Sequence, residues 1–144
     1  MSFRTKALGI VVAAGIVSSG YYYNNRSIRN LSEVHPDLQK VAHCALKKSP
    51  VYFVVVDGLR TEAEHKANVE KGVSWAKRSR HQDGMAIDVA ASIKGKITYQ
   101  SDPYYAIAGA FYQCSDSLKI PIISGGEWRV KDLMHIELDR RFYP

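Results

Sequence analysis

The stretch Ser79-Arg80-His81-Gln82-Asp83-Gly84-Met85-Ala86-Ile87-Asp88 decides how the rest of the sequence is read, because it holds an imidazole and a carboxylate seven residues apart with a chain-bending glycine between them. Beyond Gly84 the apolar pattern alternates. Met85, Ile87 and Val89 face one way and Ala86, Asp88 and Ala90 the other, which predicts a strand. Small residues flank Asp88 and leave room above it for an ion and a substrate. A second imidazole and acid come near the C-terminus, in Asp132-Leu133-Met134-His135. His81, Asp88 and His135 together make three ligands that leave a fourth tetrahedral position open for water, as a catalytic zinc requires and a structural zinc does not. Asp132 is then free to act as a base. Glu137 follows His135 by two residues, on the same face of a terminal strand, and is expected to back that imidazole. Taken singly, His81 is equally a turn cap and His135 a satisfied core residue.

Working outward, Val51 to Val56 is a β-branched run that predicts a strand buried on both faces, ended by Asp57-Gly58. Thr61-x-x-Glu64 is a capping box that starts a helix running to about Gly72. Arg60 sits at this strand-to-helix junction, where a guanidinium can lean into a cleft and hold a carboxylate, or be solvated. Upstream, Pro36 opens a helix whose Leu38, Val41, Ala42, Ala45 and Leu46 recur at helical spacing and which stops before Pro50. His35, His43 and His65 read as a cap, a surface residue and a solvated residue. Lys94-Gly95-Lys96 predicts a hairpin turn, and residues 73–80 a basic rim loop. Asp102-Pro103 opens another helix, with Tyr105, Ile107, Ala108, Phe111 and Tyr112 or Leu118 facing inward. After a brief strand from Ile120 to Ile123, Ser124-Gly125-Gly126 lets the backbone come close to something, and Trp128 follows.

The 144 residues suffice for one domain plus a short appendage, and 46% hydrophobic content is enough for a core. The net charge of +6 suits an anionic partner, whether nucleic acid, acidic lipid or a cell-wall polymer, and charge alone does not choose among them. The basic residues are scattered without aromatic interleaving, so no nucleic-acid partner is expected. A monomer is expected. Cys44 and Cys114 are the only cysteines, too far apart in sequence for a knuckle or redox pair. They are either two buried thiols or one disulfide. At the N-terminus, Arg4 and Lys6 precede a Gly- and Ala-rich apolar stretch from Ala7 to Gly20, then Tyr21-Tyr22-Tyr23. This pattern predicts that residues 1–23 insert as a helix in a membrane with the N-terminus inside, either as a cleaved signal or as a weak anchor; a buried soluble helix is the alternative, and the absence of a polar face speaks against it. Residues 24–32 read as a polar linker, and residues 33–144 as the folded domain.

Ser79-x-His81-x-x-Gly84-x-Ala86-x-Asp88, then Gly125-Gly126-x-Trp128 and Asp132-x-x-His135-x-Glu137, resemble the zinc peptidase family of D-alanyl-D-alanine carboxypeptidases and phage L-alanyl-D-glutamate endopeptidases. Val34-His35-Pro36-x-Leu38 and Gly58-x-Arg60-Thr61 extend the likeness from about residue 31 to the end. The resemblance implies an α+β domain of the hedgehog/DD-peptidase kind, a small antiparallel sheet flanked by helices. It also implies Zn2+ on His81, Asp88 and His135, with Asp132 as catalytic base. Arg60 is implied to bind substrate carboxylate or stabilise the oxyanion, and Ser79 and Trp128 to line the substrate cleft. The implied activity is hydrolysis of a peptidoglycan stem peptide, at L-Ala-D-Glu, by an endolysin held at the host inner membrane and acting in the periplasm. A D-Ala-D-Ala carboxypeptidase and a non-catalytic, zinc-stabilised wall-binding domain are the alternatives. Met134 stands where many such endolysins carry proline, and the stretch from Trp128 to Asp132 is one residue short of the family's spacing.

Overall fold

The computed structural model describes residues 24–74 and 78–144. The membrane-inserting helix expected over residues 1–23 lies outside the described residues. Among those described, no helix is long and apolar enough to cross a membrane. The rest is an α+β fold with four helices and a small antiparallel sheet: α1 (Asn25–Leu31), α2 (Pro36–Lys48), β1 (Phe53–Asp57), α3 (Glu62–Glu70), β2 (Ala86–Ile93), β3 (Lys96–Ile97), α4 (Ser101–Leu118), β4 (Ile122–Ser124) and β5 (His135–Leu138). Strand order is β1-β2-β5-β4, with β3 paired to the far end of β2 through the predicted hairpin.

Strand register gives the sheet two unlike faces. Pairing of Val55 with Val89 and of Ile87 with Ile136 puts these residues on one side, with Phe53 and Leu138, against Leu38, Val41 and Ala45 of α2 and Ile107 and Phe111 of α4. All of these side chains are buried and apolar, so the hydrophobic term that drives folding is concentrated on this side. The other face carries Ala86, Asp88 and Ala90 of β2 beside Glu137 and His135 of β5. That face holds the polar chemistry. The inward phase of α4 differs from expectation by one residue: Tyr104 is buried and Tyr105 is 47% exposed, as Leu118 also is at 42%. Tyr104 can be buried because its hydroxyl donates to the Thr98 carbonyl at 2.8 Å and accepts the Ala91 amide at 3.2 Å. His65, expected to be solvated, is buried in α3.

The polar segment 24–32, expected to be a linker, is instead helix α1 packed along the outer side of β1. Asn24 caps it, accepting the Arg26 amide at 2.9 Å. Its polar side chains serve the edge strand: the Ser27 hydroxyl accepts the Val55 amide at 2.9 Å and the Asn30 amide donates to the Val55 carbonyl at 2.8 Å. A sheet edge with unpaired backbone groups is a template for aggregation, and α1 closes it. The approach is tight enough that only glycine fits at position 58, where a Cβ would lie 1.9 Å from the Asn30 carbonyl oxygen. At the other end of the chain, the Tyr143 hydroxyl donates to Asp37 at 2.7 Å.

Cys44 and Cys114 form a disulfide between α2 and α4, at a sequence separation of 70. Closing so long a loop removes conformational freedom from the unfolded chain, worth roughly 4 kcal/mol. Replacing both cysteines with alanine is expected to lower the unfolding free energy by about this amount in urea denaturation monitored by circular dichroism. An unchanged midpoint would mean that the bridge contributes nothing to stability.

Candidate metal centre and cleft

The site lies on the polar face of the sheet. Register pairs Asp88 of β2 directly with His135 of β5, so their side chains project together. His81 comes from a 3₁₀ turn, Arg80–Asp83, just before β2. This turn has a capping box of its own, in which the Ser79 hydroxyl accepts the His81 amide at 3.2 Å and Gln82 accepts the Ser79 amide at 3.0 Å. Arg60 ties the turn to the end of β1, its amide donating to the His81 carbonyl at 3.0 Å.

Each imidazole is oriented through its outward nitrogen. His81 Nδ1 donates to the Gly58 carbonyl at 2.9 Å, which leaves the Nε2 lone pair facing Asp88 Oδ1 at 3.4 Å. His135 Nε2 donates to Glu137 Oε2 at 2.9 Å, which leaves Nδ1 facing the same oxygen at 3.4 Å. Arg140 in turn grips Glu137 through Nε at 2.7 Å and Nη2 at 3.2 Å. Two ligands bonded at about 2.1 Å in tetrahedral geometry stand about 3.4 Å apart. Both nitrogen-to-oxygen distances at Asp88 have that value, and the three donor atoms all lie within 4.8 Å of one another. Asp88 Oδ1 is buried with no hydrogen-bond partner, a costly state for a carboxylate oxygen unless a cation answers it. These residues fit a metal ion.

Charge in the cluster is tightly coupled. Burial opposes ionisation of Asp88, but the imidazoles of His135 and His81 beside it outweigh that and hold the carboxyl well below its usual range. Burial likewise opposes the imidazolium of His135, and the flanking carboxylates of Asp88 and Glu137 override it, pushing the pKa up to about 9. Glu137 is held down at about 2, burial again being outweighed by His135 and Arg140. Asp132 moves the other way: desolvation and the nearby Asp88 charge raise its pKa above the ordinary aspartate value. A carboxylate made more basic in this way is suited to accept a proton.

The His81-Asp88-His135 group opens into a cleft of about 680 Å³. The sequence-predicted residues Arg60, Ser79, Trp128, Asp132 and Glu137 all line it. The Trp128 ring lies 4.8 Å from that of His135, and the two imidazole rings are edge-to-face at 5.2 Å. Gly125 is the close approach expected of its loop: its carbonyl accepts the Asp132 amide at 2.9 Å, and a Cβ there would stand 2.4 Å from the Asp132 carbonyl oxygen. The Arg60 guanidinium is fixed by Asp57, through a short ion pair from Nη2 and a bond from Nε at 3.2 Å, and lies 3.7 Å from Asp88 Oδ2 and 3.5 Å from Ser79 Oγ. Asp57 and Arg140, which orient Arg60 and Glu137, were not singled out in the sequence. The available signal was their spacing, Asp57 three residues before Arg60 and Arg140 three after Glu137.

This arrangement has counterparts. The family model described as phage L-alanyl-D-glutamate peptidase matches residues 19–144. The L-alanyl-D-glutamate peptidase of Escherichia phage T5 is 36% identical over 127 residues, spanning 85% of this chain and 93% of that protein. The crystal structure of the Serratia marcescens L-Ala D-Glu endopeptidase ChiX superposes with a TM-score of 0.79 at 42% identity, covering 83% of this chain and 90% of the other. A match over most of the chain, joined to a cleft that holds two imidazoles, a carboxylate and a neighbouring aspartate, means that the chain belongs to the phage L-alanyl-D-glutamate peptidase family.

Proposed function

We propose that this chain is a zinc-dependent endolysin that hydrolyses the L-Ala-D-Glu bond of peptidoglycan stem peptides. The observation that carries the metal reading is Asp88 Oδ1, buried, unpartnered and equidistant from two imidazole nitrogens whose tautomers are already set. Two histidines and one aspartate make the donor set of an open zinc site. Bound there, zinc supplies a Lewis acid that brings the pKa of its water towards neutrality.

The chain's own residues supply the rest. Asp132 takes a proton from the attacking water and returns it to the amine of the leaving D-Glu, a role suited to its raised pKa. Arg60, held in place by Asp57, directs its charge at the carbonyl oxygen as negative charge develops there. Ser79 and Trp128 flank the substrate in the cleft. Glu137 keeps His135 in the tautomer that presents Nδ1. Residues 1–23 serve as the export segment, with the charge and apolar order of a signal or weak anchor, and deliver the domain to the periplasm.

Mass analysis of purified murein digested with the zinc-loaded protein is expected to reveal new free N-termini at D-Glu. Loss of a terminal alanine instead would identify a carboxypeptidase, and wall binding without hydrolysis would identify a binding domain. Asp132→Ala is expected to keep its zinc and to lower kcat by about 10²–10⁴-fold, whereas His135→Ala loses the metal, as metal analysis after dialysis will determine. Equal zinc loss in both variants would make Asp132 a ligand and remove it as the base. Fractionation of expressing cells is expected to recover the protein with the inner membrane or trimmed in the periplasm. Full-length protein confined to the cytosol would refute the export role.

A further inference from the structure

The metal-binding group lies at a junction between two arms of the polar sheet face. Towards the start of β2 lie the 3₁₀ turn and the end of β5, with three guanidinium groups: Arg78, Arg80 and Arg140. Those of Arg78 and Arg140 are 65% and 62% exposed; each makes an ion pair and lines the cleft. Towards the other end of β2 lies a second groove, of about 490 Å³. Val54, Val56 and Ala90 line it from the sheet, Ile97 and Tyr99 from the β3 side, and Asn24 and Arg26 from α1. Among the described residues its lining has no carboxylate and no lysine. Tyr99 and Met134 line both the groove and the catalytic cleft, so the two adjoin.

A stem-peptide substrate has the same asymmetry. On the leaving side of the scissile bond the peptide carries free carboxylates, beginning with that of D-Glu. On the other side a single alanine separates the bond from the lactyl group of an uncharged, N-acetylated amino sugar. The first sugar ring therefore lies about one residue length, roughly 3.5 Å, past the scissile residue. Ala90 lies two residues beyond Asp88 on the same face of β2, about 6.6 Å along the strand, so the groove begins where that ring must be. A pyranose has an apolar C–H face and a polar rim. Tyr99, 79% exposed, offers the first a flat aromatic surface, and the Asn24 amide and Arg26 offer donors to the second. The volume is that of a ligand site, within the range of about 300–1,000 Å³.

We propose that this groove binds the glycan strand of the substrate, so that the stem peptide crosses the metal site with its sugar end over β1 and β3 and its carboxylates towards Arg78 and Arg140. The inference rests on the proposed murein peptidase activity for its substrate. Its test therefore has a binding arm that does not depend on turnover. In the first arm, kcat/KM of the full, zinc-loaded chain is measured on a disaccharide-linked stem peptide and on the same peptide carrying an N-acetyl group in place of the sugar. Tyr99→Ala, a change on the surface, is expected to lower the ratio of the two values about tenfold. In the second arm, binding of a peptide-free oligosaccharide of N-acetylglucosamine and N-acetylmuramic acid is followed by calorimetry. Wild type is expected to bind, and Tyr99→Ala and Val54→Arg to bind at least tenfold more weakly. An unchanged ratio together with unchanged binding overturns the proposal. Equal acceleration of both substrates by Tyr99→Ala also overturns it, because a segment of the chain itself then covers the groove. Glycan binding with neither peptide cleaved sustains this inference and rejects the peptidase reading instead.

Discussion

Asp88 stands opposite His135 because β2 and β5 pair in one register, and the rest of the site depends on that pairing. A slip by a single residue would turn Asp88 towards the helices and bring Ile87 or Val89 to the cleft, since side chains alternate along a strand. The register is held by the apolar face rather than by the polar one. Ile87 and Ile136, nearly inaccessible to solvent, lock into the core with Phe111 and Leu38, and moving either into water would cost about 2 kcal/mol. Burial of hydrocarbon on one side of the sheet thus fixes where an unsatisfied carboxylate oxygen sits on the other.

Holding several acids and two imidazoles on that second face carries an electrostatic cost, met locally. Asp57 and Asp88 both lie beside the Arg60 guanidinium, Glu137 is answered by His135 and Arg140, and Asp139 by Arg141. Buried charges are tolerated when partners satisfy them, and among the described acids the one buried oxygen left without a hydrogen bond is Asp88 Oδ1, at the centre. Arg80 adds a mechanical link. Its guanidinium donates to the Leu138 and Tyr143 carbonyls at 3.2 and 2.7 Å, fastening the turn that carries His81 to the strand end beyond His135.

The convergence of His81, Asp88 and His135 was legible in the sequence because each lies in a stretch whose pattern has few readings. Ala86 and Ala90 around Asp88 signal space, and the alternation from Met85 to Ala90 assigns its face. The capping box at Thr61, the start of α2 at Pro36 and the turn at Lys94-Gly95 are local devices and were readable for the same reason. What escaped reading depends on distant contacts. Ser27 and Asn30 look like linker residues until the Val55 backbone is placed beside them. The disulfide requires that α2 and α4 be neighbours, which no spacing between Cys44 and Cys114 reveals. Tyr104 displaces Tyr105 from the core because its hydroxyl finds partners on β2 and on the strand leading into α4, and Asp57 acquires its role only through Arg60.

Asp132 is positioned differently from the metal-binding residues, since it lies in no strand or helix. Backbone contacts place it instead. Its amide donates to the Gly125 carbonyl at 2.9 Å, its carbonyl accepts the His135 amide at 3.2 Å, and Lys131 Nζ closes the loop on the Gly126 carbonyl at 2.9 Å. These bonds span the segment from β4 to β5, so the distance between the acid and the imidazole is set by peptide geometry and not by side-chain packing. Peptide units have few soft torsions, and a loop so tied at both ends cannot drift far without breaking a bond to a buried glycine. The backbone thus keeps the acid in place beside the His81-Asp88-His135 group whatever side chains flank it at 128 and 134. The sequence around it is free to shape the cleft, because the backbone already holds the chemistry.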